Sequence, residues 1–371
     1  MKKVNKKSIL NLLPKKERFI LKEKSLGEIK KESVKEIIID NNSYYQLNPA
    51  SPLSNIHDKI NTQILKNIPL NNSAVAFRSG ISYLNLFEPH RSGYYFLRLD
   101  IKSFFHSISL ELLRDSLTPY FEDEFINDNN DQLILDAFIN LITYTIPSNS
   151  PNTSNRGRKV VPIGFKTSPQ ISNIIFRKID LLIQGYCSDH KITYTRYADD
   201  MLFSTKLGNK YLHSELFINQ IGFILSKNGF KINTRKTIHA EHTISLNGYI
   251  IENNKLKDNA TIRISNKKTK VIKTLIYKLD KKVTPKEILK KHFDFNTSTD
   301  RFKHYVKPAS KAFIEKFFRD QLLNKMTGYR SYIISILKFH NKFHCIEVQY
   351  IINYNFLLED LNKKIESLNR L

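Results

Sequence analysis

Two β-prone runs, Ile192 to Tyr197 and Met201 to Thr205, are interrupted by Ala198-Asp199-Asp200. Apolar side chains on both runs would pin them to a core, so the pattern predicts a hairpin whose tip carries two adjacent carboxylates. Upstream, Tyr94-Tyr95-Phe96-Leu97-Arg98-Leu99-Asp100 is rich in aromatic and branched residues and predicts a half-buried strand ending on a third carboxylate. Adjacent like charges are costly without a cation between them. Three carboxylates at two strand-end positions are the arrangement needed to hold two divalent cations about 3.5–4 Å apart. Hard oxygen ligands suit Mg²⁺, which keeps waters and substrate phosphates in its remaining positions. An acidic pair in a turn is by itself a weak signal, because such pairs commonly cap or solvate; its place between two strands and downstream of Asp100 gives it weight.

The 371 residues carry 59 Lys+Arg against 35 Asp+Glu, a formal charge of +24. That surplus repels itself unless a polyanion relieves it, which makes nucleic acid the first candidate partner. No apolar run of about 18 or more residues and no signal pattern near Met1 is found, so a cytoplasmic protein without a membrane partner is expected. Cys187 and Cys345 lie far apart and match no metal-ligand spacing, against a disulfide framework or a zinc site.

The composition changes along the chain predict three parts: a basic N-terminal extension over residues 1–45, a mixed α+β unit over 46–250, and a helical region over 251–371. Thr167-Ser168-Pro169 looks like a helix start, with a hydroxyl to cap and proline in the first turn. Ile171, Ile174, Ile175, Ile179 and Leu182 then repeat at helical spacing and predict one buried face. A further helix is expected from about Tyr211 to Lys227, stopped by Gly229, with strands from Phe230 and over Thr243 to Ile251 completing the sheet. Helices are expected over Lys267 to Lys282, Ala309 to Lys325, Tyr329 to Phe339 and Asn355 to Leu371, many with lysine and arginine on their polar faces.

Tyr197-Ala198-Asp199-Asp200 resembles the third catalytic motif of reverse transcriptases, and Leu99-Asp100-Ile101-Lys102-Ser103-Phe104-Phe105-His106-Ser107-Ile108 resembles their first. Between them, Gly164-Phe165-Lys166-Thr167-Ser168-Pro169-Gln170-Ile171-Ser172-Asn173 is similar to the second. Gly229-Phe230-Lys231-Ile232-Asn233 with Lys236-Thr237 looks like the fourth, and Leu246-Asn247-Gly248-Tyr249 like the primer grip. Ala76 to Ser82 resembles a fingers segment of bacterial members, and Gly328 to Ile333 a stretch of their thumb. The resemblance spans roughly residues 45 to 345.

It implies an α+β right-hand polymerase, with fingers and palm built from an antiparallel sheet plus helices and a helical thumb. Asp100, Asp199 and Asp200 would be the palm metal ligands, with Ile101 beside them, and two Mg²⁺ ions the cofactors. One metal would activate a primer 3′-hydroxyl while the other neutralises the triphosphate and the leaving pyrophosphate. Phe105 would lie under the incoming sugar at C2′ and favour deoxynucleotides, unless both it and Phe104 are core residues. Arg78 and Lys166 are candidates to hold the triphosphate, since the guanidinium fork and the ammonium charge complement phosphate oxygens. Lys236 is a candidate to protonate the leaving pyrophosphate. Gly164, Ser168 and Tyr197 complete the candidate substrate-binding set. The implied partners are a structured noncoding RNA as template or primer, deoxynucleotides and a DNA product, with a homo-oligomer or an accessory defence protein also open.

No endonuclease, ribonuclease H or integrase segment is apparent, which points to the compact bacterial types. Asn85-Leu86-Phe87-Glu88-Pro89-His90 and Ser245-Leu246-Asn247-Gly248 depart from the retron elements at those places, and Ile163 stands where many members have glutamine. These departures favour a phage-defence reverse transcriptase over a standard retron. Untemplated or protein-primed DNA synthesis and a non-catalytic RNA-binding scaffold are the rival readings. Retention of all three aspartates argues against the scaffold, and Phe105 with alanine at 198 argues against an RNA polymerase.

The charge yields an expectation of its own. RNA affinity should fall log-linearly with salt through counterion release. Replacing Lys267, Lys268 and Lys270 with glutamine should lessen the slope equally for any RNA sequence, because phosphate contacts position the chain without reading bases. A filter-binding series across salt checks this; affinity insensitive to salt would assign the basic excess another partner.

Overall fold

The strand expected to be half-buried is not: Tyr95–Asp100 is buried on both faces except at half-buried Arg98, because Phe96-Leu97-Arg98-Leu99 lacks the apolar-polar alternation of a half-exposed strand. It is a central strand. The computed structural model describes residues 2–21, 23–39, 42–253, 260–298 and 310–370. The chain divides into two units, Met1–Pro89 with Tyr95–His239, and His90–Tyr94 with Ala240–Leu371. Among the described residues no helix is long and apolar enough to cross a membrane.

In the first unit the strand order is Thr193–Tyr197, Asp200–Thr205, Tyr95–Asp100 and Ile238–Glu241, the chain division falling within the last. The first three strands pair antiparallel. Helix Ser168–Asp189 buries Ile171, Ile174, Ile175 and Ile179 as expected, but Leu182 is 58% exposed and the face continues through Ile183. Thr167 does not cap this helix with its side chain. Its hydroxyl instead meets Nδ1 of buried His57 at 3.3 Å, while His57 Nε2 donates to the Leu141 carbonyl at 2.8 Å.

The first 45 residues, expected as an extension, contain helices Lys6–Leu12 and Lys15–Ile20 and a strand, Val34–Ile39, paired antiparallel with Asn42–Leu47. Their sparse apolar residues are used: Ile9, Leu12, Leu13 and Tyr45 are buried. Tyr45 N–H donates to the Ile163 carbonyl at 2.7 Å, and a Cβ on Gly164 would stand 2.7 Å from the Tyr45 carbonyl oxygen. With φ of +107° as well, position 164 accepts only glycine.

Two strand expectations fail. No strand begins at Phe230; Ile232 forms only an isolated bridge with Ile101. The run Thr243 to Ile251 is not one strand completing that sheet but a hairpin, Thr243–Leu246 and Tyr249–Glu252, in a separate three-stranded sheet of the second unit with Thr261–Ile264. The cause is Asn247-Gly248, both at positive φ, the preferred composition of a two-residue hairpin turn.

The rest of the described second unit is mostly helical: Asn266–Asp280, Pro285–Phe293, Lys311–Phe343 and Val348–Asn369. The helices expected either side of Gly328 are one, because buried Leu322, Met326, Ile333 and Ile336 hold one face through it, outweighing the roughly 1 kcal/mol cost of an interior glycine. The expected start at Ala309 lies outside the described residues; Ser310 caps the helix by accepting from Phe313 N–H at 3.1 Å.

His57 gives the first unit a pH dependence. Burial lowers its pKa from 6.5 to about 4. The unfolded chain therefore binds the proton first, and stability is lost as pH falls from 6.5 to about 4, by up to about 3 kcal/mol. His57→Gln, which keeps a donor for Leu141, should remove that part of the acid loss. Denaturant midpoints between pH 7 and 4 check it; parallel curves for both proteins would contradict it.

Candidate active site

Tyr197 pairs with Asp200 across the hairpin, leaving Ala198 and Asp199 as a two-residue turn. Ala198 has φ of +56°, a left-handed conformation that costs a non-glycine residue roughly 1–2 kcal/mol. On the other side of its strand, Asp200 lies directly opposite Asp100. The Ile101 N–H donates to the Asp199 carbonyl at 3.0 Å, tying the turn to the end of the central strand. Register and one backbone bond thus bring all three aspartates together, although they come from two distant segments.

Asp100 is 2% exposed and needs partners for its charge. Asn233 Nδ2 donates to its Oδ1 at 3.0 Å and Lys236 Nζ to its Oδ2 at 3.2 Å. Arg98 completes the set: Nε donates to Asp200 Oδ1 at 2.8 Å, Nη2 to the same oxygen and to Asp100 Oδ2 at 3.3 Å, and Nη1 to the Lys236 carbonyl at 3.1 Å. Sequence reasoning passed over Arg98 and the contact of Asn233. The signal for Arg98 was present, because residues two apart on a strand share a face.

Among the described residues no three ligating side chains are already drawn together around a metal position. The donor set fits a hard divalent cation all the same. Every candidate donor is an oxygen, and burial pushes the Asp199 carboxyl above its usual range, with the charges of Asp200 and Asp100 adding to the effect. Ile101, 1% exposed, has only its backbone carbonyl to offer.

Beneath the hairpin lies an ion pair with no exposed side chain, Arg196 with Asp180 of helix Ser168–Asp189. Arg196 Nε and Nη2 take the two Asp180 oxygens at 2.9 and 2.8 Å, Nη2 also meets Asn173 Oδ1 at 3.2 Å, and Nη1 donates to the Ala198 carbonyl at 2.9 Å. Tyr194 Oη donates to Asp180 at 2.8 Å, and the guanidinium lies 4.4 Å from the centre of the Phe176 ring.

The other candidates divide. Phe104 is buried against Phe176 and Phe230, whereas Phe105 is half-buried and leans edge-on against Phe104. Tyr197 is half-buried, its ring 4.8 Å from that of Tyr83 and 6.1 Å from that of Phe77. Arg78 Nη1 donates to the carbonyls of Asn71 and Ala74, both at 3.2 Å, and Lys166 pairs with Asp58 at 2.6 Å on the surface. The Ser168 hydroxyl is spent inside the fold, buried and donating to the Pro162 carbonyl at 2.7 Å, and Gly164 is fixed by the approach of Tyr45.

Arg98→Gln leaves Asp100 and Asp200 without their shared counter-charge. The metal-free protein should lose about 3 kcal/mol of stability, typical of breaking a largely buried charged set. Millimolar Mg²⁺ should return more than it adds to the unaltered protein. Thermal melts with and without Mg²⁺ check this, and equal Mg²⁺ responses would speak against Arg98 as the counter-charge.

Residues 6–251 match the family described as reverse transcriptase (RNA-dependent DNA polymerase). The chain is 35% identical to the retron Ec83 reverse transcriptase of Escherichia coli over 136 residues, 37% of this chain and 40% of that one. It is 29% identical to the retron Ec73 reverse transcriptase of the same organism over 196 residues, 51% of this chain and 57% of that one. Against the retron Ec86 reverse transcriptase, also from Escherichia coli, identity is 25% over 189 residues, 51% and 52% of the two chains. The chain thus spans about half the length of the curated relatives it matches. With its helices, its antiparallel sheets and its aspartates in order, the chain belongs to the reverse transcriptase family and is of the bacterial, retron-like kind.

Proposed function

We propose that the chain is an RNA-directed DNA polymerase that adds deoxynucleotides by a two-metal mechanism, copying a structured noncoding RNA in bacterial antiphage defence. The observation that carries the catalytic reading is the pairing of Asp100 opposite Asp200 with Asp199 in the adjoining turn. The likeness to retron reverse transcriptases supports the RNA-directed DNA polymerase part, and the departures at Asn85–His90 and Ser245–Gly248 do not remove that likeness. Fingers and palm would occupy residues 46–250, and a helical thumb with the C-terminal region residues 251–371.

Asp100, Asp199, Asp200 and the Ile101 carbonyl would hold two Mg²⁺ ions, which supply activation of the primer hydroxyl and neutralisation of the phosphates. The protein's own groups do the rest. Lys236, 3.2 Å from Asp100, would give a proton to the leaving pyrophosphate. Arg78 and Lys166 would hold the triphosphate, Lys166 by exchanging Asp58 for phosphate. Phe105, with its ring partly open, would exclude a 2′-hydroxyl, while buried Phe104 supports it from below.

The test is primer extension on an RNA template. Asp199→Asn with Asp200→Asn should abolish Mg²⁺-dependent incorporation in a protein that still folds, because ligation is lost without a change of side-chain volume. Full activity in that folded variant would overturn the site. Phe105→Ala should raise ribonucleotide incorporation relative to deoxynucleotide by about tenfold or more, the scale of a steric discrimination. Unchanged selectivity would return Phe105 to a packing role.

A further inference from the structure

The turn that presents Asp199 is held in a conformation its sequence disfavours. Alanine has no intrinsic preference for φ of +56°, and position 198 is 8% exposed, so neither glycine freedom nor solvent explains the geometry. Ile101 N–H holds the Asp199 carbonyl, and the side-chain contact that opposes relaxation at Ala198 itself is the bond from Arg196 Nη1 to the Ala198 carbonyl. That bond has direction because the guanidinium cannot turn. Asp180 holds it on two nitrogens, Asn173 adds a third contact, and the Phe176 ring lies beside it. Asn173 is itself fixed, its Nδ2 donating to the Ala76 carbonyl at 2.8 Å. The Arg196 backbone is fixed as well, bonded to Ser73 and Val75 at 2.7 and 2.9 Å. A lysine ammonium keeps the charge but cannot span Asp180 and Ala198 together, since it is a single point and not a fork.

We propose that Arg196, anchored on Asp180, is a positioning residue for the metal-binding carboxylates: it fixes the Ala198 carbonyl and thereby the turn that sets Asp199 beside Asp100 and Asp200. This rests on reading the three aspartates as cation ligands. When the Arg196 bond is lost, only the Ile101 N–H bond to the Asp199 carbonyl and the pairing of Tyr197 with Asp200 still hold the turn; the Ala198 carbonyl can then swing toward a relaxed φ, and the Asp199 carboxylate moves with it. Glycine at 198 occupies that region without strain, so Ala198→Gly lets the turn keep its geometry with no bond from Arg196.

The experiment measures Mn²⁺ binding by the full chain through electron paramagnetic resonance, with thermal melts to confirm folding. Arg196→Lys should weaken Mn²⁺ binding about tenfold, the effect of losing one fixed ligand position. Adding Ala198→Gly should restore the affinity to within about twofold while leaving any loss of melting temperature in place, which a purely structural role for Arg196 would not produce. Tyr194→Phe, which removes only the hydroxyl steadying Asp180, is the milder lesion and decides the matter should Arg196→Lys not fold. It should weaken Mn²⁺ about threefold, and Ala198→Gly should again restore binding. Wild-type affinity in the folded lesion, or no restoration by glycine, overturns the proposal. Asp199→Asn with Asp200→Asn separates the two readings: if it abolishes Mn²⁺ binding while the Arg196 lesion does not alter it, the cation site stands and the positioning role falls. If wild type and the double variant bind Mn²⁺ alike, both fall.

Discussion

The Arg196–Asp180 pair lies entirely out of solvent, and the surrounding structure is organised by its need for partners. Two charges taken from water are costly, and their mutual attraction repays this only with good geometry and further hydrogen bonds. Here the fork is met by Asp180 on two nitrogens, by Asn173 and by the Ala198 carbonyl, and Asp180 receives the Tyr194 hydroxyl besides. Helix Ser168–Asp189, the aspartate-bearing hairpin and the Ser73–Ala76 segment are therefore tied together through one group. Such a pair is a poor source of net stability compared with an apolar core. Its contribution is directional: in the observed geometry of the turn the Ala198 carbonyl gives the fixed Arg196 Nη1 an acceptor.

Above that floor the electrostatics are reversed. Asp100, Asp199 and Asp200 gather negative charge in a chain of +24, and Arg98, Lys236 and Asn233 are the groups that answer it. Burial first, and the charges of Asp200 and Asp100 after it, raise the Asp199 carboxyl, a cost that a divalent cation would relieve. A cation bound as proposed would compete with the Arg98 guanidinium for the same Asp200 oxygen.

The aspartates, the α+β class and the hairpin were legible because each rests on local patterns: branched and aromatic runs, a breaker between them, and a motif order that few families share. What the sequence hid was long-range. Nothing near Arg196 announces that it will meet Asp180 sixteen positions earlier on a helix, and a basic residue inside a β-prone run reads as an exposed one. Thr167 read as a cap because the local pattern was right, yet His57 from a distant helix claimed its hydroxyl. Leu182 fitted the helical period but lies on the side that the sheet does not cover. The Asn247-Gly248 turn was readable and was passed over: two β-prone stretches separated by that dipeptide announce a hairpin. Phe104 and Phe105 could not be told apart by composition, since only the packing of Phe176 and Phe230 assigns one ring to the core.

The central claim is that this fold presents three carboxylates to divalent cations at the end of its central strand. The most direct measurement is anomalous scattering from crystals soaked in Mn²⁺. The account predicts anomalous density bounded by the carboxylates of Asp100, Asp199 and Asp200, with the Arg98 guanidinium withdrawn from Asp200. Arg98 still bridging Asp100 and Asp200, with no anomalous density beside them at saturating Mn²⁺, would contradict it.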